Sequence, residues 1–270
     1  MGPAVSSLAF AAILAAASAA PALAGELRDL CPDRPGRLTP ACIVDAGHLQ
    51  IETAAIDFTH EATATDVTDT VAVGNTLLRY GVTQHLELLA NSTPYVDART
   101  RTFGGGFATT SGIGDVTLGV KQSLFNPDGK KFSLAVQPFV ILPTAKAALG
   151  VGSTVVGVIV PVTIALPADF ALGLSPEVDR VANAGARGHH ASYTMIGGVS
   201  RQFGTFDAGV ELAGVHDDDP GGRTTKATLD VFAAYIPKAH PNLQFDAAAY
   251  VGLNHDTPDV EILVGVSHRF

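Results

Sequence analysis

Tryptophan is absent from this sequence of 270 residues, and charge is scarce, with Asp, Glu, Lys and Arg together making 16%. A soluble domain usually carries about 25%. Basic residues are outnumbered, 17 Lys and Arg against 26 Asp and Glu, for a net charge of −9. No basic face is available to hold phosphates, which excludes a nucleic-acid binder. Only two cysteines occur. Beyond the first 24 residues no apolar run can cross a bilayer as a helix. The best stretch, Val155 to Leu166, is 12 residues long and contains Pro161, whereas a spanning helix needs about 20. Sixteen prolines also work against long helices. Apolar residues nevertheless make 47% of the chain and mean hydropathy is +0.27, so a disordered chain is excluded as well. The length suits one large all-β domain.

The start of the chain reads as a targeting segment. Leu8 to Ala24 is uncharged and alanine-rich, and Ala22-Leu23-Ala24 forms an A-x-A cleavage signal before Gly25. This predicts a secretory signal peptide over 1–24, although Met1 to Ser7 carries no Lys or Arg. Cys31 and Cys42 follow in a short Pro-, Gly- and Arg-rich stretch. In an exported protein such a pair suggests a disulfide, here one that stiffens an N-terminal flap. No third soft ligand lies near enough for a metal site. Residues 25–47 are therefore expected to form a periplasmic segment preceding the main domain.

From His48 onward, apolar and polar residues alternate in segments of about ten, the mark of transmembrane β-strands. Leu86, Leu88 and Ala90 alternate with Glu87 and Asn91; Val116, Leu118 and Val120 with Asp115 and Lys121; Phe206, Ala208, Val210 and Leu212 with Asp207 and Glu211. The same period marks 12 segments: 48–60, 70–81, 85–93, 112–125, 131–143, 155–166, 169–179, 191–203, 206–216, 225–236, 243–253 and 259–270. Short connections, such as Asn126-Pro-Asp-Gly129, alternate with longer ones, of which 94–111 is the longest. An even strand number with short periplasmic turns and longer outer loops predicts a single antiparallel transmembrane β-barrel over 48–270, with both termini on the periplasmic side. The apolar phase slips within 48–60, which predicts a bulge. Arg201 falls on the apolar face near the periplasmic rim, where it can snorkel. Pro138, Pro161 and Pro176 stand inside strands, where each removes a ladder donor.

The chain ends in Phe270 after alternating Ile262, Val264 and Val266. This ending resembles that of barrels inserted by the outer-membrane assembly machinery, with His268 replacing an aromatic often found there. Thr76-Leu-Leu-Arg-Tyr-Gly-Val-Thr-Gln-His-Leu-Glu-Leu88, Gly112-Ile-Gly-Asp-Val-Thr-Leu-Gly-Val-Lys121, Gln137-Pro-Phe-Val-Ile-Leu-Pro-Thr144 and Val251-Gly-Leu-Asn-His-Asp-Thr-Pro-Asp259 resemble a Gram-negative outer-membrane family. It is the one named for the meta-cleavage pathway of phenol degradation, whose members are commonly labelled as transporters. The resemblance covers most of 48–270. It implies a barrel in the outer membrane and transport of small, in some cases aromatic, solutes, and it carries no catalytic set.

Chemistry-bearing motifs are few. No G-x-S-x-G elbow, H-E-x-x-H or Walker loop occurs, and Gly104-Gly105-Gly106 lacks the Lys-Ser/Thr of a phosphate cradle. His189-His190 and Asp217-Asp218-Asp219 could attract cations, but the acidic run matches no calcium-loop spacing, and solvated loops are the favoured reading of both. No catalytic, cofactor-binding or metal residue is assigned. Ser192 near His190 is the only loose candidate for an outer-membrane lipid hydrolase, without an orienting partner.

If apolar side chains face lipid, the lumen receives Glu52, Asp57, Arg79, Glu87, Asp115, Lys121, Glu177, Asp179, Glu211, Asp230, Asp246, Glu261 and Arg269, ten acids and three bases. An acidic wall favours cations or neutral polar-aromatic solutes. The expected function is thus an outer-membrane channel for small solutes, contacting lipid and no nucleic acid. A structural barrel with a plugged lumen is the alternative, because twelve strands lie between the filled eight and the open sixteen. A secreted sandwich is a further, separate reading. Neutralising Glu87, Asp115 and Glu211 together is expected to alter selectivity and leave folding intact.

Overall fold

A computed structural model describes residues 27–185 and 187–270; the predicted signal peptide lies outside them. Fifteen strands form one antiparallel sheet. They are β1 (Leu49–Ala62), β2 (Asp66–Gly81), β3 (Leu86–Ser92), β4 (Tyr95–Thr102), β5 (Phe107–Gly112), β6 (Val116–Phe125), β7 (Phe132–Leu142) and β8 (Val155–Ile159). There follow β9 (Val162–Ala165), β10 (Phe170–Ala182), β11 (His189–Phe203), β12 (Phe206–Asp217), β13 (Thr224–Tyr235), β14 (Leu243–Gly252) and β15 (Val260–Arg269). Three interruptions divide single barrel strands. Thr93-Pro94 separates β3 from β4, residues 113–115 separate β5 from β6, and 160–161 separate β8 from β9. Counting each divided strand once gives twelve, and β1 closes the barrel by pairing with both β15 and β2.

Polarity is inverted relative to a soluble protein. Leu88, Leu118, Val156, Val178, Met195, Val210, Leu212, Val231, Val251, Ile262 and Val264 are exposed on the outside, while Gln50, Glu52, Arg79, Glu87, Lys121, Asp230 and Ser267 are buried inside. An apolar exterior and a polar interior suit a barrel immersed in lipid. Aromatic residues gather beside the short turns. Phe206 stacks near Tyr235 with centroids 4.9 Å apart, and Phe125 lies 6.3 Å from Phe132. Arg201 leans over the rings of Phe170 and Phe203, at 5.0 and 4.7 Å from their centroids. Its charge thus sits among amphipathic rim groups, where a cation on the apolar face is least costly.

The expected bulge falls between Ala54 and Ile56. It restores the phase, turning Asp57 inward while Ile56 remains outside. The prolines are absorbed at defects of the ladder. Pro161 sits at the β8–β9 break, where its carbonyl accepts from the Ala135 amide at 3.0 Å, and the Pro176 carbonyl accepts from Val160 at 2.9 Å. The short turn after β9 places Ala168 and Asp169 at φ of 60° and 61°, the left-handed pair that matches strand twist in a tight hairpin.

One expectation about connectivity is corrected. The segment 94–111, read from sequence as the longest outer loop, is mostly a hairpin: β4 and β5 extend the barrel wall, with β4 pairing against the upper half of β2 from Asp66 to Val73. Gly104-Gly105-Gly106 occupies its tip. The period-two signal is missing there because both faces are polar. Thr100 Oγ1 meets Thr68 Oγ1 at 3.0 Å, and Arg99, Arg101, Thr109 and Thr110 continue the pattern-free run. The backbone ladder outlasts the lipid, and the apolar alternation does not.

Candidate functional site

The interior is occupied by the chain's own N-terminal segment. Residues 28–45, expected from sequence to be periplasmic, bond instead to inward-facing side chains around the barrel. The segment enters at the end with the short turns, where the Ile43 amide donates to the Pro127 carbonyl at 3.0 Å and Arg28 Nη2 donates to the Gln84 carbonyl at 3.0 Å. Cys31 and Cys42 are joined by a disulfide, which closes the segment into a loop. Its exit runs past Gly81, where a side chain would collide with the Asp45 carbonyl; this close approach requires glycine.

Three charge centres hold this plug. In the first, Arg79 is fully buried and pairs with Asp33 at 2.7 Å, Glu52 at 3.1 Å and Glu87 at 2.9 Å. It also donates to the carbonyls of Cys31 (2.9 Å) and Cys42 (3.2 Å). Lys121 Nζ reaches Asp33 at 3.0 Å and Glu87 at 3.4 Å, and donates to the Pro40 carbonyl at 3.3 Å. Glu87 accepts from the Val44 amide at 2.7 Å, and Glu52 from the Asp33 amide at 2.9 Å. Buried charges persist where partners and hydrogen bonds are complete, and here plug and wall complete each other.

In the second centre, Arg34 pairs with Asp246 at 2.7 Å. Apart from these centres, at the mouth of the segment, Asp45 lies between Arg269 at 3.0 Å and Arg28 at 3.1 Å. The third is the plug's apex, Arg37, which faces Asp230 at 3.5 Å and pairs with Glu261. Its guanidinium lies 4.1 Å from the Tyr250 ring centroid. Glu211 accepts the amides of Arg37 (2.8 Å) and Leu38 (3.1 Å).

The other inward acids lie elsewhere. Glu177 and Asp179 stand two residues apart on β10, and among the described residues neither has a Lys, Arg or His within ion-pair distance; Asp57 Oδ1 and Asp179 Oδ1 lack hydrogen-bond partners. Asp115 is structural, accepting from the amides of Ala145 (2.8 Å) and Val151 (2.7 Å) and so folding the loop after β7. Neutralising Glu87, Asp115 and Glu211 therefore breaks anchors of the plug and a loop, contrary to the expectation that folding is indifferent to them.

A cavity of about 740 Å³ lies between the plug and the wall formed by β9 to β14, lined by Gly36, Leu38, Gly173, Gly198, Ser200, Asp207, Phe232 and Gln244. At the opposite end the acidic loop is a clasp. Asp219 accepts from Ala184 at 2.7 Å and from Gly221 at 2.6 Å, and these amide donors hold its carboxyl below the usual range. Asp218 pairs with Arg223, and His190 with Asp217 at 2.8 Å. Ser192 sits inside, opposite Asp217, away from the lipid face where a lipid hydrolase would act.

Sequence reasoning missed Arg28, Asp33, Arg34, Arg37 and Asp45. A usable signal was present: three arginines within ten residues precede a barrel whose inward charges are mostly acids.

The family model described as "Putative MetA-pathway of phenol degradation" matches residues 32–270. The chain belongs to this family. The match begins inside the plug, at the residue after Cys31. Among solved structures, an outer membrane channel from Pseudomonas putida F1 superposes with a TM-score of 0.65 at 16% identity, over 88% of this chain and 99% of that one. The β domain of the Bordetella autotransporter BrkA superposes at 0.54 with 13% identity, over 84% and 100% of the two chains. These likenesses concern the fold. No curated protein matches the sequence.

Proposed function

We propose that this family member is an outer-membrane channel for small solutes, narrowed by its own N-terminal plug and selective for cations or neutral polar-aromatic molecules. The observation that carries the reading is the uncompensated acid of the upper interior: Glu177 and Asp179 face inward beyond the plug's arginines. Low-dielectric walls concentrate the field of such groups and enrich cations. The 740 Å³ cavity at the short-turn end supplies volume for a small solute on the plug's other side. The fold shared with a channel supports the same reading. Phe270, with its ring 4.3 Å from that of His268, is the terminal aromatic that the outer-membrane assembly machinery would engage.

The completeness of the Arg79 network favours the alternative, a barrel closed for structural purposes. Reconstitution of the mature chain in planar bilayers separates the two. A small cation-preferring conductance that grows when residues 27–46 are deleted supports the channel. Anion preference, or silence in both proteins across voltages and lipids while both remain heat-modifiable on gels, rejects it.

A further inference from the structure

The plug's apex touches a row of side chains that the sheet register places side by side. Glu211 is opposite Asp230, Asp230 opposite Tyr250, and Tyr250 opposite Glu261 on the consecutive strands β12 to β15. Two carboxylates set directly across a strand pair repel and destabilise the sheet. Three carboxylates and one ring share this girdle, and a single cation, Arg37, answers them; Asp57 borders the same group beside Glu261. Asp230 is fully enclosed, yet neither of its oxygens meets a donor in hydrogen-bonding geometry. The Arg37 side chain is 35% exposed, so water reaches the cluster through the position Arg37 occupies. A guanidinium over a tyrosine ring with carboxylates at its edges is an arrangement that recognises a flat organic cation.

We propose that this girdle is a binding site for a small organic cation, a protonated amine or amidine carrying a flat or aromatic body, and that Arg37 is its built-in competitor. The site deepens the channel reading by naming a solute class. A ligand cation would take the carboxylates of Asp230 and Glu261 and the face of Tyr250, displacing the Arg37 side chain into the upper interior. The backbone bonds from Arg37 and Leu38 to Glu211 need not break, so the plug can stay in place. Among the described residues, no group of three or more acids or histidines converges closely enough to hold a metal ion, which leaves a larger cation as the better fit.

Calorimetric titration of the detergent-solubilised mature chain with benzamidinium tests this, with benzyl alcohol as the neutral control and calcium as the inorganic one. Saturable binding of benzamidinium alone is expected. Arg37→Ala should tighten it by about tenfold, because removing the built-in occupant raises the fraction of sites competent to bind. Asp230→Asn with Glu261→Gln should abolish it in protein that still shows heat-modifiable migration. Equal uptake of benzyl alcohol, preference for calcium, binding that survives the double variant, or no binding in folded Arg37→Ala overturns the proposal. Binding is read without any conductance, so a silent bilayer with intact binding sinks only the channel, and a conducting barrel without binding sinks only this site.

Discussion

At the short-turn end of the interior, Arg79 and Lys121 face Asp33, Glu52 and Glu87, with every partner within 3.4 Å. Further along the same wall, Glu177 and Asp179 face the lumen and each other. One barrel thus carries two electrostatic regimes, divided by the height to which the N-terminal segment climbs. In the lower regime charge is structural, because each ion is enclosed and its removal strands the others. In the upper regime it is available to solutes and salt. The same residue type, an inward acid, therefore has opposite consequences on mutation depending on its side of Arg37.

The largest effect expected belongs to the lower regime. Arg79→Ala leaves three buried carboxylates with Lys121 alone, and breaking a buried pair in this way costs about 3–5 kcal/mol. Urea unfolding followed by heat-modifiable migration should show the loss, and wild-type stability in the variant would refute the structural role of this network. Next comes the disulfide. Replacing Cys31 and Cys42 by serine frees a short loop, for which chain entropy predicts about 2–3 kcal/mol. The loss should fall on the plug and not the wall: proteases should cut near Arg34 and Arg37 while the barrel persists. Unreduced wild-type protein should take up no thiol label, and strong labelling of both cysteines would show that the bond is not formed in the protein.

The upper regime should respond through transport and not through stability. Glu177→Gln with Asp179→Asn should lower the cation-to-anion permeability ratio a few-fold with unfolding unchanged, since lumen positions carry no lipid-contact requirement. Raising salt should erase the wild-type preference, as the Debye length falls to about 3 Å at 1 M. Glu87→Gln with Glu211→Gln should do the reverse, loosening the plug before it touches selectivity. Identical behaviour of the two sets would remove the distinction between the regimes.

The architecture was legible because lipid on one side and water on the other write a period of two into each strand. Leu86 to Asn91 and Phe206 to Leu212 carry it plainly. The pattern fails where its cause ends. Tyr95 to Gly112 leaves the membrane, both faces become polar, and a paired hairpin reads as a loop. The plug was illegible for another reason. Residues 27–46 form no strand beyond one isolated bridge at Ala46, and irregular backbone has no period. Its partners lie tens to hundreds of positions away, as Arg34 does from Asp246. What the sequence does show is complementarity, arginines ahead of an acidic lumen, but a charge sum names no pairs.

The smallest effect expected is at the outer rim, where the loops after β10 and β12 are clasped by one side chain. Asp219 accepts the amides of Ala184 and Gly221, which stabilise its charged form and hold its pKa low. A carboxyl depressed in the folded state stabilises that state above the unfolded pKa of about 3.9, and the contribution disappears as pH falls through the lower folded value. The clasp should therefore be intact at neutral pH and open only in strong acid. Hydrogen exchange reports it directly. At neutral pH the Ala184 and Gly221 amides should be protected in the wild-type chain and exposed in Asp219→Ala, while amides within β10 and β12 keep their protection. Acidification of the wild-type chain should reproduce that local pattern, after correction for the slower intrinsic exchange in acid. Loss of protection spreading down the strands would mean that Asp219 supports the wall as well as the loops.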